Sequence, residues 1–335
     1  MLTSSDFLRL PFTPGLTEGG IAYAIRSLPY TYNRMGGSPF DRLRRIVAGV
    51  AVELAFRRYL GEQGIPFDVK GATPFTDPDR YDVALGGHRC DIKSFLITHR
   101  DQISEMRHNP GILLKAPALV PLDQHAADGH NANDLYLFAF LSGLVAASLE
   151  DLKKAIEAGQ PVYLLHALPE TWARPQVWSP LGPLALKSES DETLTVELGG
   201  QDEGRGFLTR TVELPPRERV LVNDPFFALS SIHINKPVET RLGIHSPTRQ
   251  ETLLVNWHEW GNIWVYGMDI ILTGYIPYDE FRRRASLIQP GSRVFQYNQT
   301  RTKNLAVSVT DLSPLPDLFE RVKAWEAAKS QLTST

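Results

Sequence analysis

The dipeptide Gly86-Gly87 constrains this chain more tightly than any other feature. It stands between two short runs, RYDVAL and HRCDIKSF, that read as strands. A two-residue Gly-Gly connection fits a type I′ or II′ hairpin, whose turn requires positive φ. Fixing the turn fixes the register: Leu85 opposes His88, Ala84 opposes Arg89, Val83 opposes Cys90 and Asp82 opposes Asp91. Side chains alternate along a strand, so Asp82, Ala84, Arg89, Asp91 and Lys93 share one face. Tyr81, Val83, Leu85, Cys90 and Ile92 share the other, apolar face. Opposed Cβ atoms in such a ladder lie roughly 5 Å apart, and like charges there repel. A cation between the two aspartates resolves the conflict. Carboxylate oxygens with a main-chain carbonyl suit a hard divalent ion such as Mg2+, and Lys93 is placed to orient a water or stabilise charge on a phosphate.

A third acid comes from upstream. Residues 41–60 read as a helix that ends near Gly61 and Gly64, with Leu43, Ile46, Val47, Val50 and Leu54 on its buried face. Glu53 lies at the edge of that face, and Gly49, one turn earlier, lets the helix approach a sheet closely. An inward carboxylate is costly unless something positive meets it. Arg57, four residues on, offers the simpler alternative of an ordinary helical ion pair.

The rest of the chain supplies context. Residues 1–40 read as irregular, punctuated by proline and glycine, and 98–133 as polar and punctuated. Strand-like text falls at 66–75, 81–85 and 88–95. DLYLFAFLS, 134–142, is apolar on both alternating faces, as suits a strand inside a sheet. Ser148 and Asp151 stand at capping-box spacing before a short helix closed by Gly159, and PVYLLHA, 161–167, reads as a further strand. TLTVEL and FLTRTVEL make a long hairpin, and 251–278 is aromatic and β-rich. DEFRRRASLI and residues near 316–328 read as helices. Strands mixed with helices, followed by a run of strands, predict an α/β fold: a mixed central sheet flanked by helices, with a β-rich insertion or second domain. The expected divisions are an N-terminal extension at 1–40, a core at 41–167, a β-rich insertion at 168–250 and a β-rich and helical part at 251–335 that returns to the core.

Of 335 residues one is cysteine, which excludes an internal disulfide framework and any multi-cysteine zinc site. The longest apolar run, Leu135 to Leu141, is far short of a membrane span, and the start lacks the pattern of a signal peptide, so the expected location is cytoplasmic with no membrane partner. A net charge of −3 argues against nonspecific coating of nucleic acid, so contact with DNA needs a local basic patch or a protein partner that targets the chain.

Gly49 and Glu53 on a helix, then Asp82, then Asp91-Ile92-Lys93 across a hairpin, resemble the PD-(D/E)xK nuclease superfamily with its restriction-endonuclease-like fold. The resemblance spans roughly residues 41–167, with GYIPYDEFRRRASL as a further candidate segment. It implies phosphodiester hydrolysis with Mg2+, for which Mn2+ substitutes. Asp82, Asp91 and the main-chain carbonyl of Ile92 would hold the ion, Glu53 would complete or support the site, and Lys93 would position the attacking water. Tyr81 stands where such proteins often carry proline, and Asp79, after Pro78, is a rival to Asp82. Only Asp82 meets Asp91 in the hairpin register. Gln102 matches the helical glutamine of some relatives, but no tyrosine follows at helical spacing. The family points to an endonuclease in bacterial restriction or phage defence, and double-strand cutters of this kind point to a homodimer. DNA is the expected substrate, with RNA left open. The alternative is a catalytically silent nuclease fold that binds nucleic acid or protein.

Contacts to nucleic acid are expected from Arg42, Arg44 and Arg45, from Arg89 and Ser94 on the hairpin, from Arg282, Arg283 and Arg284, and from Arg301 with Lys303. Trp257, Trp260, Trp264 and Tyr266 offer stacking surfaces, although an aromatic β-core accounts for them equally well. DQHAADGHNAND, 123–134, gathers histidines and acids and reads as a second metal site or a loop near the active centre. WHEW, 257–260, lacks the second histidine of a zinc-protease helix, since Asn262 stands in its place.

Overall fold

The structure is a computed structural model, and it describes residues 2–31, 38–69, 83–126 and 130–332. In chain order, β1 (Leu8–Leu10) precedes helices α1 (Pro14–Thr31) and α2 (Pro39–Glu62). The hairpin of β2 (Val83–Leu85) and β3 (His88–Ile97) leads to α3 (Arg100–His108), β4 (Pro117–Pro121), α4 (Leu122–His125) and β5 (Leu135–Val145). Then come α5 (Leu149–Glu157), β6 (Leu164–Ala167), α6 (Glu170–Ala173), β7 (Leu184–Ser188), β8 (Leu194–Gln201) and β9 (Phe207–Leu214). Next are β10 (Arg219–Val222), β11 (Ala228–Ile234), β12 (Leu242–Ser246), β13 (Glu251–Val255) and β14 (Gly261–Asn262). The long β15 (Val265–Pro277), α7 (Tyr278–Arg284), β16 (Ser286–Ile288), β17 (Asn304–Ser308) and α8 (Leu315–Leu332) complete it. The protein is thus mixed α/β.

The chain divides into two compact units: Met1–Gly20, Ala48–Leu144 and Tyr266–Thr335 form the first, and Ile21–Val47 with Val145–Val265 the second. The first unit is built on a mixed, curled five-stranded sheet in the order β1-β15-β5-β3-β2, in which β3 and β5 run parallel and β2 is antiparallel to β3. Leu135 to Leu141 are all buried, which is why that run carries no polar face. One core gathers Phe95, Ile97, Phe138 and Phe140 from β3 and β5, together with Leu119, Val120, Phe281 and Val307. A second, three-stranded sheet, β16-β17-β4, borders it. Helix α2 crosses β3 where Gly49 meets Ser94: a Cβ on Gly49 would lie 3.3 Å from Ser94 Oγ. The close approach expected of Gly49 is therefore present.

The second unit has two antiparallel sheets, β10-β7-β12-β13 and β14-β6-β11-β8-β9. Leu184, Leu186, Leu242 and Ile244 of one share a core with Val196, Leu198, Ile232 and Ile234 of the other. The β8–β9 hairpin pairs Leu194 with Leu214 through to Gln201 with Phe207. Arg44 is buried and donates to the Asn262 carbonyl from Nε at 2.9 Å and Nη2 at 2.6 Å.

Three readings need correction. Residues 14–31 are helical. Proline is accommodated at the first helical position, where no backbone donor is needed, and Gly19 lets α1 approach α2, since a Cβ there would lie 2.6 Å from Leu54 Cδ1. The stretch 98–133 holds α3, β4 and α4, elements too short to announce themselves by periodicity. Within DEFRRRASLI the helix stops at Arg284, and Ser286 to Ile288 pair with β17. On α2 the buried side is also displaced from the expected one. Leu43, Val47, Ala48, Ala51, Val52, Ala55, Phe56 and Leu60 are buried, while Ile46, Val50 and Leu54 are only half-buried.

Candidate active site

Gly86 and Gly87 have φ of 55° and 80°, the positive values that the hairpin demands. Val83 pairs with Cys90, Ala84 with Arg89 and Leu85 with His88, as the turn dictates. Val83, Leu85, Cys90 and Ile92 are buried, whereas Arg89, Asp91 and Lys93 are half-buried on the opposite face. Asp82 and its rival Asp79 lie outside the described residues.

Lys93 Nζ lies 2.6 Å from Asp91 Oδ2 and donates to Gln124 Oε1 at 2.8 Å. The parallel register sets Asp91 beside Tyr136 and Lys93 beside Phe138, and Nζ stands 5.8 Å from the Tyr136 ring centroid. This is the polar end of a sheet face that becomes apolar at Phe95 and Ile97. Asp134, just before β5, organises its rim. Its carboxylate accepts from the Asn131 amide at 2.7 Å and the Arg89 amide at 3.3 Å, and it faces the Arg89 guanidinium at 3.9 Å and His130 Nδ1 at 4.0 Å. The Asp134 carbonyl accepts from the Tyr278 amide at 2.6 Å.

Two histidines enclose Tyr278. His125 stacks on its ring at 4.5 Å and His130 at 4.8 Å, with interplanar angles of 17° and 11°. The Tyr278 hydroxyl donates to the His125 carbonyl at 2.8 Å, and His125 Nδ1 lies 3.1 Å from the Tyr136 hydroxyl. Burial, reinforced by neighbouring cations, lowers the pKa of both imidazoles. Around His125 these are His130 when protonated, Arg282 and Lys93, and around His130 it is Arg89. For His130, Asp91 and Asp134 partly oppose the shift. Burial, together with Asp91, raises Tyr136 far above the ordinary phenol value, so its hydroxyl stays protonated. The cluster therefore presents an ammonium, two carboxylates and two imidazoles that favour the neutral form. Such a set can hold an anionic group and exchange a proton.

The other expected site residues are distributed differently. Glu53 pairs with Arg57 at 3.6 Å, the helical ion pair that its spacing allows. Ser94 faces Gly49 of α2, on the side of β3 opposite Lys93. Arg42 is buried, and a buried guanidinium is not offered to a phosphate, which corrects its expected role. Arg45 is half-buried and donates to the Asp41 carbonyl at 3.1 Å. Arg282 and Arg283 are exposed and pair with Asp279. Gln102 donates to the Phe295 carbonyl at 2.8 Å and so braces the core.

Among the described residues no three His, Cys, Asp or Glu side chains stand together as a metal-holding group. The oxygen donors of Asp91 and the Ile92 main chain fit a hard divalent ion in kind. A full ligand set needs a further carboxylate, and the expected one, Asp82, lies outside the described residues. Gln124, Asp134, Tyr136 and Tyr278 were not singled out by the sequence. The one hint was the density of acids and histidines in 123–134, since Gln124 reaches Lys93 across 31 positions. No family model, curated protein or solved structure matches this chain.

Proposed function

We propose that this chain is a Mg2+-dependent nuclease that hydrolyses phosphodiester bonds of DNA on a restriction-endonuclease-like core. The observation that carries the reading is the Asp91–Lys93 pair. An ammonium is held 2.6 Å from a carboxylate on one face of β3, directly after the Gly86-Gly87 turn. Asp91, Asp82 and the Ile92 carbonyl would hold the ion. When bound, the ion would polarise the phosphoryl group and lower the pKa of an attached water. Lys93 hydrogen-bonds the incoming water or a phosphate oxygen, and Gln124 fixes the direction of its ammonium. Neutral His130, beside Asp91, can accept the proton that the water gives up. Glu53, paired with Arg57 on α2, is the further acid that the same reading assigns to the site. Targeting by a protein partner, pairing of two copies and a role in restriction or phage defence belong to the same proposal.

The test is cleavage of circular plasmid and of labelled single-stranded DNA and RNA in Mg2+, Mn2+ or EDTA, with Asp91→Ala and Lys93→Ala beside the wild type. The expected result is metal-dependent cutting by the wild type, reduced at least about a hundredfold in both variants. Equal cutting by wild type and variants removes the active-site assignment. If all three are inert and the wild type binds nucleic acid or protein, the chain is a non-catalytic binding module.

A further inference from the structure

Outside the Asp91–Lys93 cluster, the first unit carries an open groove of about 600 Å³ lined by Arg100, Ile103, Ser104, Arg107 and His108 of α3 with Leu144 and Met268. Ile103 is buried and Met268 exposed, so the floor is apolar and its rim basic. At about 100° per residue, Arg100, Ser104 and Arg107 fall within roughly 40° of one line along α3. The helix's acids, Asp101 and Glu105, project about 100° or more from Arg100. Among the described residues Arg100 and Arg107 make no ion pair, unlike Arg282, Arg283 and Arg284 on α7. His108 Nδ1 donates to the Ser104 carbonyl at 2.7 Å, which fixes the ring. Two unpaired guanidiniums on one line are the geometry of a phosphate contact, because Arg presents a planar fork of donors to phosphate oxygens.

The groove lies beyond the carboxyl end of β3. Four strand residues, roughly 13 Å, separate Lys93 from Ile97, and α3 starts three residues later. At about 3.4 Å per nucleotide, that strand length matches about four nucleotides.

We infer that Arg100 and Arg107 hold the phosphodiester backbone of a DNA strand a few nucleotides from the bond exposed to Lys93, with His108 on its flank and Met268 and Leu144 against the sugars. This rests on the nuclease reading and names where that substrate is gripped. The test is fluorescence anisotropy of a labelled DNA oligonucleotide at several salt concentrations, with Ca2+ as the divalent ion. Wild type, Arg100→Ala/Arg107→Ala and Arg107→Glu are compared, while cleavage by the wild type is followed separately in Mg2+. Both arginines are exposed, and circular dichroism checks that the variants fold. The expected result is affinity lower by about tenfold or more in the double variant, with a salt slope reduced by about two. Arg107→Glu should weaken binding further. If the variants bind as tightly as a wild type that cleaves DNA, the groove assignment falls and the nuclease reading stands. If the wild type neither binds nor cleaves, both fall.

Discussion

The ammonium of Lys93 is held by one carboxylate and one amide oxygen, and it sits near a histidine whose pKa its charge helps to lower. The same physics makes the fold pH-sensitive. His125 and His130 in the first unit, and His166 and His233 in the second, all have pKa values lowered chiefly by burial. The unfolded chain therefore binds protons near pH 6.5 that the folded chain refuses. That stability is present above the unfolded value and is lost as the pH falls through the lower folded values. Melting temperature should hold above pH 7 and decline between about 6.5 and 5, ahead of carboxylate titration. His130→Gln should flatten the decline in thermal scans, and a profile unchanged by His130→Gln would show that this imidazole is not involved. At this scale the sequence was informative where a local rule applies. A period of two and a Gly-Gly turn place Asp91 and Lys93 on one face without further information. Gln124 and Tyr278 could not be found that way, because their positions depend on tertiary contacts across 31 and 153 residues.

Among the elements, the hairpin offers the sharpest test. Turn chemistry alone would welcome asparagine at the first turn position, yet a Cβ on Gly86 would run into the ring of Trp325. Trp325 packs 5.1 Å from His88 and is 39% exposed, so α8 caps the hairpin tip. Gly86→Asn should therefore cost about 1–3 kcal/mol by overpacking, read as a lower urea midpoint. In a Trp325→Ala background most of that cost should vanish. An equal cost in both backgrounds would assign the strain to the backbone. Elements with strong local signals were legible: α2 by its apolar period, β5 by its unbroken apolar run and α5 by Ser148, whose hydroxyl accepts from the Asp151 amide at 3.1 Å. α1 was hidden because Pro14, Gly19 and Gly20 read as breakers, whereas Pro14 opens the helix and Gly19 serves a helix–helix contact.

At the scale of the whole molecule, each unit is assembled from separated lengths of chain. The passages between units fall inside α1, α2, β5 and β15, within helices and strands and not in linkers. Such boundaries have no local signature to read. The second unit depends on its early segment. Ile25 packs near Gly199, Tyr30 accepts from Gln201 at 2.6 Å, Phe40 covers Gly261 and Arg44 holds the Asn262 carbonyl. Residues 145–265 expressed alone should therefore bind a hydrophobic dye and unfold without a sharp transition. Adding a peptide of residues 21–47 should restore cooperativity. A fragment that melts sharply without the peptide would show that its two sheets suffice. The interleaving also sets a timetable during synthesis. In the first sheet β5 lies between β3 and β15, and β15 begins only after Val145–Val265 has been made. At about 5–20 residues per second, the ribosome leaves the apolar β5 edge unpaired for about 6–24 s. A nascent chain of this kind is a natural client for a holding chaperone, and slowing translation across the second unit should reduce its soluble yield.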